Sequence, residues 1–543
     1  MLKKIFKGLF TITAVAVFAS CSKKPEHLKL IPKDAGIVAN IDMVGMVMKA
    51  GVTKFQDYDF IKDLIEKSKN DSLSKISQIM DNPLNWGVSL KEDFYAFTPK
   101  GISEGYFALA FKVSDSEDFN KIVQEFYEVA KKGTLEEANG INFFNTDKTS
   151  LLAWDNDAGL LISQVNKSSL KIEELKEKAI ELFKLEPNNQ FSNTELYSVL
   201  SKKTGDINIV ANQSNLYEGN QMLEKIQTNG LLQELDGICS YGSISFEDDR
   251  VFAQGGTVRN EAFKKYEAKY NGILVDYNQD VVKHMPENHL ALFGFSFNLE
   301  SGLDSIAKSL PMQTQMGLAA AKPVLAGFGG SFNFSLYDVA TSQKKVPSFS
   351  DSGLVFINKD VPAPKIALGF DINKKEAIDQ VLSGPLGMNP FLEETGNYYT
   401  IRTEKAIMSD LYAYYNDKIG VISTDENAIK TISNGESLDR SLADSQFGEV
   451  FQKSNYYLHL HTDLSKYPDI LTNSVLDMVP SKFDAKNYLE IWNSYNESIE
   501  VKVVNKYDYE ASFNFKEKSG NILENYFQMV DEIYQVSKTN KIL

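Results

Sequence analysis

The residues best spaced for chemistry lie in YYLHLHTD, where Tyr457, His459, His461 and Asp463 occupy alternate positions. Alternate side chains of a β-strand share one face, so the two imidazoles and the carboxylate project together, with Tyr456, Leu458, Leu460 and Thr462 on the other side. Two histidines and an acid can begin a zinc site, although a structural site needs four protein ligands and a catalytic one three plus an open position. The same alternation also makes a plain polar sheet face whose other side packs on helices. The corresponding stretch DINIVANQS carries Asn208, Val210, Asn212 and Ser214 at those places, so it offers no second ligand set. His459, His461 and Asp463 are therefore the candidate metal ligands, and a metal-dependent hydrolase using His459 and His461 is the enzymatic reading. Other catalytic signatures are missing: there is no GxxxxGK[ST], HExxH, CxxC or GxSxG. Gly327-Phe328-Gly329-Gly330 precedes no helical pattern and reads as a glycine-rich strand. Asp155-Asn156-Asp157 lacks the glycine and terminal glutamate of a calcium loop. No catalytic residue and no cofactor follow from the sequence.

The two cysteines point elsewhere. Residues 1–20 carry a basic start (Lys3, Lys4, Lys7) and an apolar run from Leu9 to Ala19. Eleven helical residues rise only about 16 Å, short of a bilayer core of about 30 Å, so the segment reads as a removable signal. Phe18-Ala19-Ser20-Cys21 resembles a bacterial lipobox, with Phe18 where leucine is usual. That resemblance makes Cys21 the lipidated first residue of the mature chain. Ordinary cleavage after Ala19, with Val17 and Ala19 as the small recognition residues, is the competing reading. Cys239 is then left without a partner, in a strand-like stretch that suits a buried, inert thiol.

The elements that would position these residues come from a chain of 543 residues, long enough for two or more domains. Apolar residues make up 43%, and 34 Phe and 25 Tyr supply large side chains to bury, so the body is globular rather than disordered. The formal charge of −16 disfavours a nucleic-acid binder, which needs a basic surface. Windows recur in order along the chain. LLAWDNDAGLLIS (151–163) matches LYAYYNDKIGVIS (411–423), placing Asn156-Asp157 against Asn416-Asp417 as hairpin turns and Trp154 against Tyr414. ALAF (108–111) matches ALGF (367–370), and Ile31-Pro32-Lys33-Asp34 matches Met285-Pro286-Glu287-Asn288. These windows predict a duplicated α+β fold: two tandem lobes, 29–275 and 276–543, with mostly antiparallel sheets packed by helices, after a signal (1–20) and a tether (21–28). Strands are expected at GIVANID, EDFYAFT, YFALAFKV, INFFN, LLAWD, GLLIS and DINIVAN, followed by the hairpin CSYGSISFEDD/RVFAQGGTV. Helices are expected from Asp59 to Met80 and at SSLKIEELKEKAIELFK, capped by Ser168 or Ser169. The boundary falls near 271–284, and 312–362 is extra to the second lobe.

A signal ending in cysteine, then Ile31-Pro32-Lys33-Asp34-Ala35 before an apolar strand, then a long duplicated body, resembles a group of uncharacterised Bacteroidota lipoproteins. The resemblance implies a lipid-anchored envelope protein and supplies no catalytic residues. Surface-exported members of that phylum carry an acidic run after the cysteine. Ser22-Lys23-Lys24-Pro25 has none, which favours a protein facing the periplasm, with the outer membrane as the expected location. The expected partners are the membrane, through the anchor, and an unknown ligand or envelope protein held between paired lobes. A structural assembly factor is the third reading.

Overall fold

The computed structural model describes residues 24–51, 58–67, 86–100, 105–130, 133–145, 149–165, 170–217, 235–270, 272–299, 301–302, 312–350, 353–383, 391–403, 409–476 and 485–539. The expected signal (1–20), Cys21, Ser168 and Ser169 lie outside them.

Short alternating runs become strands because one face of each is buried. In β1 (Ile37–Ile41), Val38 and Asn40 are buried while Ile37, Ala39 and Ile41 are half-exposed. β1 pairs with β2 (Phe94–Thr98) on one side. From β2 the sheet continues through β3 (Tyr106–Lys112), β7 (Ala158–Gln164), β6 (Ser150–Trp154) and β5 (Ile141–Asn145) to β4 (Thr134–Ala138). On its other side β1 meets β8 (Ile207–Asn212), then β9 (Cys239–Phe246) and β10 (Arg250–Thr257). The second run is centred on β11 (Ala291–Ser296). To one side lie β12 (Phe328–Ser350), β13 (Gly353–Ile372), β17 (Ile419–Ser423), β16 (Leu411–Tyr415), β15 (Tyr398–Ile401) and β14 (Leu392–Thr395). To the other lie β18 (Tyr456–His461), β19 (Asn496–Val504) and β20 (Asp508–Phe515).

β10 and β20 pair antiparallel, with Ala253 opposite Ala511, so the expected separate sheets are one open sheet of twenty strands among the described residues. Each run ends in a strand with an unpaired edge, and joining the edges satisfies both sets of backbone groups. Read outward from that join, the orders are β10-β9-β8-β1-β2-β3-β7-β6-β5-β4 and β20-β19-β18-β11-β12-β13-β17-β16-β15-β14. Every pairing between these strands is antiparallel, as the short hairpin turns predict.

The alignment of 151–163 with 411–423 is one residue out of step with the turns themselves. Asp155 Oδ1 accepts from the N–H groups of Asp157 (2.8 Å) and Ala158 (2.7 Å). Asn416 Oδ1 does the same for Lys418 (2.8 Å) and Ile419 (2.9 Å). Trp154 is opposite Gly159, and Tyr415, not Tyr414, is opposite Gly420. A slip of one position exchanges the two faces of a strand, so Trp154 and Tyr414 do not occupy matching sites.

Helices cover the sheet where it is apolar. The helix Ile172–Phe183 buries Leu175, Ala179 and Leu182 against Val38, Phe97, Ala108 and Leu160. Lys171 is its N-cap, and its N–H donates to the Glu174 carboxylate at 2.5 Å. The short helix Gln279–Val282, which occupies the expected boundary, packs with Glu426–Ser433 and Gln446–Lys453 around Leu292, Val421 and Tyr457. The helix Ile522–Thr539 packs beside Ala485–Tyr495 around Tyr495, Phe515 and Met529. It also meets Asp59–Lys67, where Phe60 N–H donates to Asp531 and Tyr534 to Asp63, each at 3.0 Å. Residues 68–80 of the expected Asp59–Met80 helix lie outside the described residues. Among the described residues no helix is long and apolar enough to cross a membrane.

Candidate functional site

The histidines of β18 stand on a covered face, which corrects the polar-face expectation. Tyr457 and His459 are buried, and the rings of Phe447 and Phe451 from the helix Gln446–Lys453 lie on them. The opposite face carries Tyr456 against Phe293. A third histidine joins the pair. His289 precedes β11, the neighbour of β18, and its Nε2 lies 3.0 Å from His459 Nδ1. The ring of His461 is 4.8 Å from that of His459 and 6.2 Å from that of His289.

Hydrogen bonds settle the tautomers. His289 Nδ1 donates to the Glu287 carbonyl at 3.1 Å, which leaves Nε2 to accept the Nδ1–H of His459. Burial lowers the pKa of His289 to about 4 and that of His459 to about 3, the latter helped by its histidine neighbours. Burial also lowers His461. The cluster is thus held neutral at physiological pH, with the free lone pair of His289 already used.

Asp463 does not join it. Burial opposes its ionisation, but Lys516 Nζ at 2.7 Å and two hydrogen bonds from Ser465 hold its carboxyl below the usual range. It starts the 3-10 turn Leu464–Lys466. Among the described residues no three His, Cys, Asp or Glu side chains are disposed to hold a metal ion. Cys239 is buried, and burial pushes its thiol up to about 11, away from thiolate chemistry.

Immediately beyond β18 lies a cavity of about 440 Å³, between the turn Leu464–Lys466 and the helices Asp469–Leu476, Ala485–Tyr495 and Ile522–Thr539. Leu464, Leu471, Leu476, Leu489 and Ile533 supply aliphatic wall. Among the described residues, the four that line it with side-chain polar atoms all spend them elsewhere. Tyr467 donates to the His461 carbonyl (2.7 Å), Trp492 to the Thr462 carbonyl (2.9 Å) and Thr472 to the Asp469 carbonyl (3.1 Å). The Tyr488 hydroxyl bonds the Ser537 hydroxyl at 2.7 Å. What remains facing the space is ring and hydrocarbon, so this wall discriminates by shape and apolarity.

Sequence reasoning located His459 and His461 but missed His289, whose signal was its place directly before the strand that neighbours theirs. It missed the cavity too, although Tyr488, Leu489 and Trp492 are spaced as one helix face.

Several solved structures align with part of the chain, all distantly. Crystal form I of TP0453 matches with a TM-score of 0.24 and 12% identity, covering 45% of this chain and 81% of its own. Crystal form III gives 0.25 and 10%, with 47% and 90% coverage. Crystal form IV gives 0.25 and 11%, with 42% and 79%. No curated protein matches the chain. The sequence profile of a domain of unknown function, DUF4836, matches residues 27–523, from the first turn before β1 to the start of the last helix. That match takes in both runs of the sheet, the histidine cluster and most of the cavity wall, and the chain belongs to the DUF4836 family.

Proposed function

We propose that this is a non-enzymatic envelope protein that holds a hydrocarbon chain, such as an acyl group, in the cavity beside Trp492. The observation that carries the reading is the wall itself, apolar among the described residues because its tyrosine, tryptophan and threonine polar atoms are bonded within the protein. A volume of about 440 Å³ falls in the ordinary range of ligand pockets, about 300–1,000 Å³. The chain is anchored through a lipid on Cys21 to the outer membrane, facing the periplasm, as the lipobox-like Phe18-Ala19-Ser20-Cys21 suggests. The body is a tandem repeat with lobes 29–275 and 276–543. Supporting this are the two strand orders read outward from the β10–β20 join and the isolated bridges Pro32–Gln190 and Pro286–Ser441 at corresponding places. A hydrolase centred on His459 and His461 has against it the neutral, buried His459, whose Nδ1–H is already bonded to His289, and the diverted Asp463.

The test is titration of the purified body with a fluorescent polyunsaturated fatty acid. Leu471→Trp fills the cavity and is expected to weaken binding about tenfold without lowering Tm. Undiminished binding by a folded Leu471→Trp chain would dismiss the cavity as the site. Metabolic acyl labelling tests the anchor separately, and labelling that persists in Cys21→Ala would remove it.

A further inference from the structure

A second feature is independent of the cavity. β12 and β13 run far past their neighbours. β11 accompanies β12 only as far as Leu336, and β17 accompanies β13 only from Ala367. From the pair Asp338–Lys365 to the pair Ser350–Gly353 the two strands have only each other as β partners among the described residues. Twelve steps at about 3.3 Å give an arm about 40 Å long.

The far end of the arm is apolar in the wrong place for a soluble ribbon. Leu354, Phe356 and Ile357 are 56%, 66% and 46% exposed. Leu354 and Phe356 share one face with Pro347, the register partner of Phe356, and Ile357 stands on the other. A single groove on a protein would cover one face and leave the other wet. Immersion in a lipid surface covers both.

The composition just behind this band favours an anionic surface. Lys345 and Lys359 are exposed, one and two residues further from the tip than the level of Ile357, and the exposed Asp360 follows one step further back. The depth also fits. From the last pair, Ser350–Gly353, the apolar band reaches back about 13 Å to Ile357 and Lys359 lies about 20 Å back, so a tip that enters the interface as far as Ile357 brings the lysines to the headgroup layer.

Edge-to-edge pairing with another strand is the competing occupant, and the arm is built against it. Pro347, Pro362 and Pro364 lie along it and offer no N–H to an added strand. In a protein with a net charge of −16, a segment in which lysines and exposed apolar residues coincide is an exception that requires an explanation. We propose that the β12–β13 arm is a membrane-contacting finger, whose tip at Leu354, Phe356 and Ile357 enters an anionic lipid surface while Lys345 and Lys359 engage lipid phosphates.

The experiment uses the full mature chain carrying Cys21→Ala, so that no acyl group contributes. It is sedimented with vesicles of phosphatidylglycerol and phosphatidylethanolamine, and with vesicles of phosphatidylcholine alone. Binding is expected on the anionic vesicles, weakening as salt is raised and much lower on phosphatidylcholine. Leu354→Ser, Phe356→Ser and Ile357→Ser together should reduce it about tenfold or more. Lys345→Glu with Lys359→Glu should remove the salt-sensitive part. Because all five side chains are exposed, an unchanged Tm shows that the fold is kept. Equal sedimentation of the triple-serine chain and its parent overturns the proposal, as does a parent that ignores both vesicles. A parent that ignores vesicles but forms a dimer lost in the triple variant makes the tip a self-association surface instead, and overturns it equally.

Discussion

The indole N–H of Trp492 donates to the carbonyl oxygen of Thr462 at 2.9 Å, tying the helix Ala485–Tyr495 to the residue that follows β18. One bond therefore fixes a ring of the cavity wall to the strand of the histidine cluster. Trp492→Phe keeps an apolar ring and loses the bond, at an expected cost of about 1 kcal/mol, with fatty-acid binding retained. Trp492→Ala removes the wall itself and should cost about 3 kcal/mol and weaken binding. Chemical denaturation and the fluorescence titration read both. Equal behaviour of the two variants would separate the ring from the pocket.

The histidine cluster predicts an acid-sensitive fold. The unfolded chain protonates its histidines near pH 6.5, while burial holds His289 to about 4 and His459 to about 3 in the fold. Below pH 6.5 the unfolded state therefore binds more protons than the folded state. Stability is full above pH 6.5 and is lost as the pH falls toward 4 and then 3. Tm should be flat between pH 7 and 8 and decline from about pH 6.5 to 5, before most carboxylates titrate. In His289→Phe with His459→Leu, the decline should be shallower. His27, whose pKa burial also lowers to about 4, remains in both chains. Superimposable pH profiles would assign the acid response elsewhere.

Two glycines sit under aromatic rings. Gly159 is the register partner of Phe111, and Gly420 that of Phe370; a Cβ at either position would overlap its partner's ring. Gly159→Ala and Gly420→Ala should each cost about 1–3 kcal/mol through overpacking. Since Phe111 and Phe370 belong to separate aromatic groups, the double variant should show additive losses. A Tm unchanged by Gly420→Ala would mean that Phe370 has room to turn aside.

The join between β10 and β20 makes a prediction about fragments. Residues 29–275 include all ten strands of the first run and the core around Val38, Phe97 and Leu160, so the fragment should fold. Its β10 then becomes a bare edge, and the fragment should self-associate through it. Ala253→Pro, placed where β10 faces Ala511, should restore a monomer. Light scattering on the two fragments checks this. A cooperative monomer without the proline would show that the edge protects itself, and a broad melt would show that the lobes fold only together.

The sequence by itself determined the local elements. Alternation marked GIVANID as β1 and YYLHLHTD as β18, because a strand with one buried face must alternate whatever its neighbours are. The dipeptides Asn156-Asp157 and Asn416-Asp417 marked both turns because such side chains bond the nearby backbone, a wholly local interaction, although in the first turn it is Asp155 that makes those bonds. The exact register of the two windows was not legible, since matching letters score equally well one step away while the geometry of a strand reverses. Tertiary structure alone decided which edges meet at Ala253 and Ala511, and that His289 reaches His459 across 170 residues of chain. It also turned Asp463 toward Lys516 and closed an apolar cavity from segments as distant as Leu464 and Ile533. These outcomes rest on long-range burial and on the pairing of backbone groups between distant strands, and neither leaves a period in the local sequence for a reader to find.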